Sequence, residues 1–137
     1  MTEIKISELS IGDWVMFTPN KKIYVAEPRF TSAPAKITGA YRGREVTLEI
    51  ECKREFMAIP LSCIAPIPLT PEILEKNGFE ENCGGWYNSE ARMEFEQYKD
   101  GWCRTIGCGE YSIYFIKYVH QLQHALRLAG VGKEIEV

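Results

Sequence analysis

The chain has 137 residues, 45% hydrophobic and 26% charged, with a formal net charge of −3. That is enough apolar material to build one domain or two very small ones, and too much for a disordered tail. The mild acidity argues against a protein held mainly by phosphates, and no apolar run approaches the ~18–20 residues of a membrane-spanning helix. Met1-Thr2-Glu3-Ile4-Lys5 lacks the basic-then-apolar pattern of an export signal, so the expected compartment is the cytoplasm.

Ile11 to Phe17 reads as a strand entered through the Gly12-Asp13 turn. Thr18 to Lys22 is a loop, Ile23-Tyr24-Val25 a short apolar run with strand character, and Pro28 to Pro34 an irregular connection. Ala35 to Tyr41 is β-like, and Arg42-Gly43 offers a tight turn. Arg44 to Glu51 then alternates. Val46, Leu48 and Ile50 lie on one face and Glu45, Thr47, Glu49 and Glu51 on the other, the period of a half-buried strand. Phe56 to Ile59 is a further strand, and Pro60 to Ile64 a single helical turn leading into a last extended piece. Four or five short strands with a turn before the last one predict a small SH3-like β-barrel over residues 1–68, an architecture that fixes no activity.

Ile64 to Phe79 is the hinge of the sequence. Thr70 is a good N-cap, Pro71 suits the first helical position, Glu72 complements the helix dipole, and Gly78 supplies a left-handed stop. Beyond it, Met93 and Phe95 alternate with Arg92, Glu94 and Glu96, and Asp100-Gly101 signals a hairpin returning through Trp102 to Ile106. Tyr111 to Phe115 is another β-like run. Lys117 to Ala129 is the main helix, stopped at Gly130. Stepping about 100° per residue sets Phe115, Tyr118, Val119, Leu122, Ala125, Leu126 and Ala129 on one side. Lys117, His120, His124 and Arg127 fall on the other. Lys133 to Val137 alternates and suggests an edge strand. The whole is an α+β protein, with a compact helix–antiparallel sheet–helix unit over residues 69–137.

Charge is unevenly divided. Up to Pro68 there are nine basic and eight acidic residues, a net of +1; after it there are seven and eleven, a net of −4. Lys21, Lys22, Arg42, Arg44, Lys53 and Arg54 all fall at predicted turns or strand ends of the first half, and form the candidate nucleic-acid patch.

His120 and His124 stand one helical turn apart, the ligand spacing of zinc peptidases. Gln121 occupies the place of the general base, and Gln cannot take a proton from a metal-bound water. The expected role of this face is therefore a solvated surface, with no metal site. Five cysteines, an odd number, follow no disulfide framework and read as reduced thiols. Cys83, Cys103 and Cys108 could meet across the predicted hairpin, but contain no Cys-x-x-Cys pair; buried apolar thiols are the favoured reading. A Cys–His nucleophile has no local signature, no carboxylate pair stands out for acid–base work, and Gly84-Gly85 and Gly107-Cys108-Gly109 lack the Gly-Lys-Ser/Thr of a phosphate loop. Tyr41, Tyr87, Trp102 and Tyr114 could stack on bases, but core packing is the reading adopted for them.

The segments Ile67 to Phe79 (IPLTPEILEKNGF) and Ile116 to Leu126, with its YVHQLQ core, resemble a family of small proteins carried by phages, prophages and mobile elements of Bacteroidetes. Members often begin with a segment like Leu9 to Val15. The resemblance implies a bacterial or phage cytoplasmic setting and brings no activity, cofactor or catalytic residue. It draws attention to His120, Gln121 and Gln123, which packing does not require.

The expectation is a non-enzymatic binding protein that needs no cofactor and engages a protein partner through His120, Gln121, Gln123, His124 and Arg127. The alternative is a nucleic-acid-binding accessory protein using the basic patch. A metal- or thiol-dependent enzyme stands third.

Overall fold

The computed structural model describes residues 6–19, 32–42, 46–98, 101–106, 110–132 and 134–137. The chain divides into two compact units, Met1–Ile67 and Pro68–Val137. Among the described residues each holds one five-stranded antiparallel sheet and both α-helices belong to the second, so the chain as a whole is α+β.

The first unit contains β1 (Trp14–Phe17), β2 (Ala33–Arg42), β3 (Val46–Cys52), β4 (Glu55–Pro60) and β5 (Ile64–Ala65), in the spatial order β4-β3-β2-β1-β5. The buried carboxylate of Asp13 accepts a 2.8 Å hydrogen bond from the Ser10 amide and shapes the entry to β1. A 3₁₀ turn over Leu61–Cys63 leads into β5, as its sequence suggests. The alternation of β3 is realised: Leu48 and Ile50 are buried beside Val15, Phe17, Ala35, Ile37 and Ile59, while Thr47, Glu49 and Glu51 face outward. Among the described residues the sheet is not closed into a barrel. β4 and β5 are its two edges, β5 pairing with β1 at Met16↔Ala65 and Phe17↔Ile64. The run Ile23-Tyr24-Val25 lies outside the described residues.

The second unit opens on α1 (Pro71–Lys76), with both ends built as its sequence predicts. Thr70 Oγ1 accepts from the Ile73 amide at 3.3 Å. Gly78 takes φ +83°, and the Phe79 and Gly78 amides donate to the Leu74 and Glu75 carbonyls, the paired bonds of a Schellman ending. β6 (Glu80–Asn82), β7 (Gly85–Asn88), β8 (Met93–Tyr98), β9 (Gly101–Ile106) and β10 (Glu110–Ile116) follow as a meander in the order β10-β9-β8-β7-β6. Cys83 (φ 50°) and Gly84 (φ 84°) make the two-residue turn between β6 and β7.

Met93, Phe95, Trp102 and Ile116 are buried on one face of this sheet, with Phe79 and Phe95 in ring contact at 5.9 Å. The other face carries Glu94, Glu96 and Cys103. Phe115 pairs with Cys103 on that outer face, not with the apolar side of the main helix. There its ring covers Gly101, where a Cβ would stand 2.7 and 2.8 Å from Cε1 and Cε2 and closer still to Cζ. The hairpin signalled at Asp100-Gly101 is present, with β8 and β9 paired from Tyr98↔Gly101, and Gly101 is a strand residue of it that the close approach of Phe115 requires.

The main helix, α2, spans Val119–Leu128 and ends in a second Schellman pair, from Gly130 to Arg127 and Val131 to Leu126. The terminal alternation is real in burial, with Ile135 buried and Glu134 and Glu136 exposed, but residues 134–137 form no strand. In place of a neighbouring strand, the side-chain amide of buried Asn77 pairs with the backbone N–H and C=O of one residue. Its Nδ2 donates to the Glu136 carbonyl and its Oδ1 accepts from the Glu136 amide, both at 2.7 Å.

Candidate binding surface

The outward face of the first sheet brings together residues far apart in sequence. Antiparallel partners project to the same face. Trp14 pairs with Lys36, Lys36 with Glu51, and Glu51 with Phe56. An aromatic–cation–acid–aromatic row thus crosses β1, β2, β3 and β4. The Lys36 ammonium lies 5.1 Å from the centroid of the Trp14 ring, a cation–π geometry. Phe56 is 65% exposed, so most of its phenyl ring stays in solvent.

The row ends beside the β3–β4 turn. Cys52 pairs with Glu55, which leaves Lys53 and Arg54 as a two-residue loop. Both take positive φ, 51° and 67°, as a type I′ turn requires. Asn-Gly is the usual solution there; side chains with a Cβ are disfavoured by about 1–2 kcal/mol per residue. This sequence places two cations in the strained positions. Lys53, Arg54, Lys36, Glu51, Trp14 and Pro34 line a recess of about 170 Å³. Three of the lining groups are cationic and one is anionic, so the recess is locally positive although the chain is acidic. Beneath it, burial pushes the Cys52 thiol up, with smaller opposed effects from Lys53, which lowers it, and Glu55, which raises it.

Of the sequence-derived basic patch, Lys53 and Arg54 sit together in this recess. Lys21, Lys22, Arg44 and the side chain of Arg42 lie outside the described residues. Trp14, Lys36 and Phe56 were not among the residues expected to act. The wet face of β3 was legible from its alternation, but only strand register reveals which residues stand beside Glu51.

The helical surface expected at His120, Gln121, Gln123, His124 and Arg127 is exposed only in part. His120 is 1% exposed and Gln123 is 6% exposed. The His120 ring stacks on Tyr118 at 5.9 Å and 7°, and meets His124 edge-on at 6.0 Å. Gln121 serves the helix itself: its Oε1 accepts from the Lys117 and Tyr118 amides at 2.8 and 3.2 Å, the returning half of a capping box. His124 is half-buried, and Arg127 is exposed next to Leu128, which is 85% exposed. The helical-wheel expectation fails because α2 buries residues from Ala125 round to His120, more than half its circumference at 100° per residue. A single-sided core does not describe it.

Among the described residues no three His, Cys, Asp or Glu side chains group as a metal site. Cys83 is exposed at its turn, Cys103 is half-buried on β9, and Cys108 lies outside the described residues. Of the aromatics weighed for stacking, Trp102 is buried with its Nε1 donating to the Leu69 carbonyl at 3.1 Å, and Tyr87 is partly exposed. The side chains of Tyr41 and Tyr114 lie outside the described residues. No helix among the described residues is long and apolar enough to cross a membrane. Comparison of the chain with protein-family models, with curated proteins and with solved structures finds no match.

Proposed function

We propose that this is a non-enzymatic binding module whose contact surface is the outward face of the first sheet and whose partner is anionic. The observation that carries this reading is the recess at the β3–β4 turn, which Lys36, Lys53 and Arg54 line together with Trp14. A strained turn built from two cations supports it further, because such strain is retained where a side chain is needed. The strand order β4-β3-β2-β1-β5, with a 3₁₀ turn before the last strand, supports an SH3-like ancestry for this unit even without closure. The setting is the phage or mobile-element cytoplasm that the sequence resemblance implies.

The test is binding of the purified protein to a panel of fluorescent polyanions, with reversal of charge at the turn by Lys53→Glu and Arg54→Glu. Salt-sensitive binding that these substitutions abolish is the expected result. Binding to none of the polyanions at low salt removes the reading.

A further inference from the structure

Resting on that proposal, we infer that the anionic partner is a single-stranded nucleic acid, its bases stacked on Trp14 and Phe56 and its phosphates held by Lys36, Lys53 and Arg54. An acidic peptide would need the cations alone. The surface also offers two aromatic rings at the ends of one cross-strand row, and one of them, Phe56, is solvent-exposed.

The spacing suits a strand crossing the sheet. β1 and β4 are separated by three strand intervals, which puts Trp14 and Phe56 about 14 Å apart at about 4.8 Å per interval. A short run of extended nucleotides covers that distance. Two of the cations lie on one side of the row, since the Lys53-Arg54 turn projects past the paired residues Cys52 and Glu55, and Lys36 stands in the row itself. A backbone entering over the turn meets Arg54 and Lys53 and then Lys36, while its bases turn toward the rings. Lys36 now lies against the Trp14 ring. Its flexible stem lets a base take over the ring while the ammonium moves to the adjoining phosphate.

Electrostatic contact of this kind is sequence-independent and salt-dependent, and stacking tolerates any base because every base has a π-face. Glu51, in the middle of the row, disfavours a phosphate there. That sets a polarity on the surface, with backbone over the turn and bases over the rings. A duplex cannot use it, because its bases are already stacked on each other.

The experiment is fluorescence anisotropy with labelled oligothymidylate and oligouridylate of about twelve nucleotides, a length matched to small single-strand sites. A duplex of equal length and a polyglutamate peptide serve as competitors. The intact protein is compared with Phe56→Ala, Lys53→Ala and Arg54→Ala. Phe56 and the turn are exposed, so these variants keep the fold, and circular dichroism checks it. Either single strand should bind, with Phe56→Ala weakening it by roughly tenfold. Each turn variant should flatten the dependence of log affinity on log salt by about 0.7. Polyglutamate or duplex binding as tightly as the oligonucleotides overturns this inference and leaves the broader reading standing. So does an unchanged affinity in Phe56→Ala. Binding to none of the four overturns both.

Discussion

Asn77 holds Glu136 with two side-chain hydrogen bonds and makes a third to the Ile73 carbonyl of its own helix, and replacing it with Ala removes all three. The amide donates to the Ile73 and Glu136 carbonyls and accepts from the Glu136 amide, each bond contributing about 1 kcal/mol net. The loss is reduced because Glu136 is exposed and its peptide groups regain water. It is increased because Ile135, buried at 6% exposure, is no longer held in place. The balance is a destabilisation of about 2–3 kcal/mol for the second unit. Chemical denaturation read by far-ultraviolet circular dichroism measures it. Hydrogen exchange at the Glu136 amide tests its cause, since that proton is bonded to Asn77 Oδ1 in the folded protein. Asn77→Ala should return this amide to near-random-coil exchange while amides of β8 stay protected. A loss under about 0.5 kcal/mol, the range of ordinary surface substitutions, would refute the reasoning, as would an unchanged Glu136 amide.

Four further outcomes follow from the geometry. Gly101→Ala drives a Cβ into the Phe115 ring and should destabilise the second unit by about 1–3 kcal/mol, with Gly101→Ala/Phe115→Ala recovering most of it in thermal denaturation. Replacing Lys53-Arg54 with Asn-Gly relieves two strained residues and should stabilise the first unit by about 1–2 kcal/mol while abolishing polyanion binding; a neutral or negative effect on stability would show that the turn carries no strain. In thiol labelling under native conditions Cys83 should react first and Cys52 and Cys63 only on unfolding, followed by mass spectrometry of the labelled peptides. The Cys52 thiol is raised in the folded state, so the folded protein keeps that proton longer than the unfolded chain does. Its contribution to stability is complete below the ordinary value of 9.0 and is lost as pH climbs above it; a stability that rises with pH in this range would contradict the burial of this thiol.

The parts of the fold that were legible are those whose signals span a few residues. Thr70, Pro71 and Gly78 define the ends of α1 by local hydrogen bonds and a local φ, so residues 70–79 carry enough information to place the helix. The alternation around Leu48 and Ile50 gives β3 its wet and dry faces for the same reason, since neighbouring residues on a strand point to opposite sides. The His120–Arg127 surface was misjudged because a helix pattern shows which face is more apolar, not how much of the circumference its surroundings will cover. Polar residues such as His120 and Gln123 are then carried inside by their neighbours.

Register is a long-range property. Nothing within ten residues of Trp14 announces that it shares a row with Lys36, Glu51 and Phe56, and nothing near Gly101 announces Phe115. The sequence by itself determined the helix ends, the alternating strands and the class of fold, all matters of backbone preference and side-chain period. Only the tertiary structure decided the open edge of the first sheet, the Asn77 clamp on Glu136 and the cationic, aromatic recess. Each depends on segments that meet only after chain entropy has been overcome by packing, and packing partners are chosen by the whole chain.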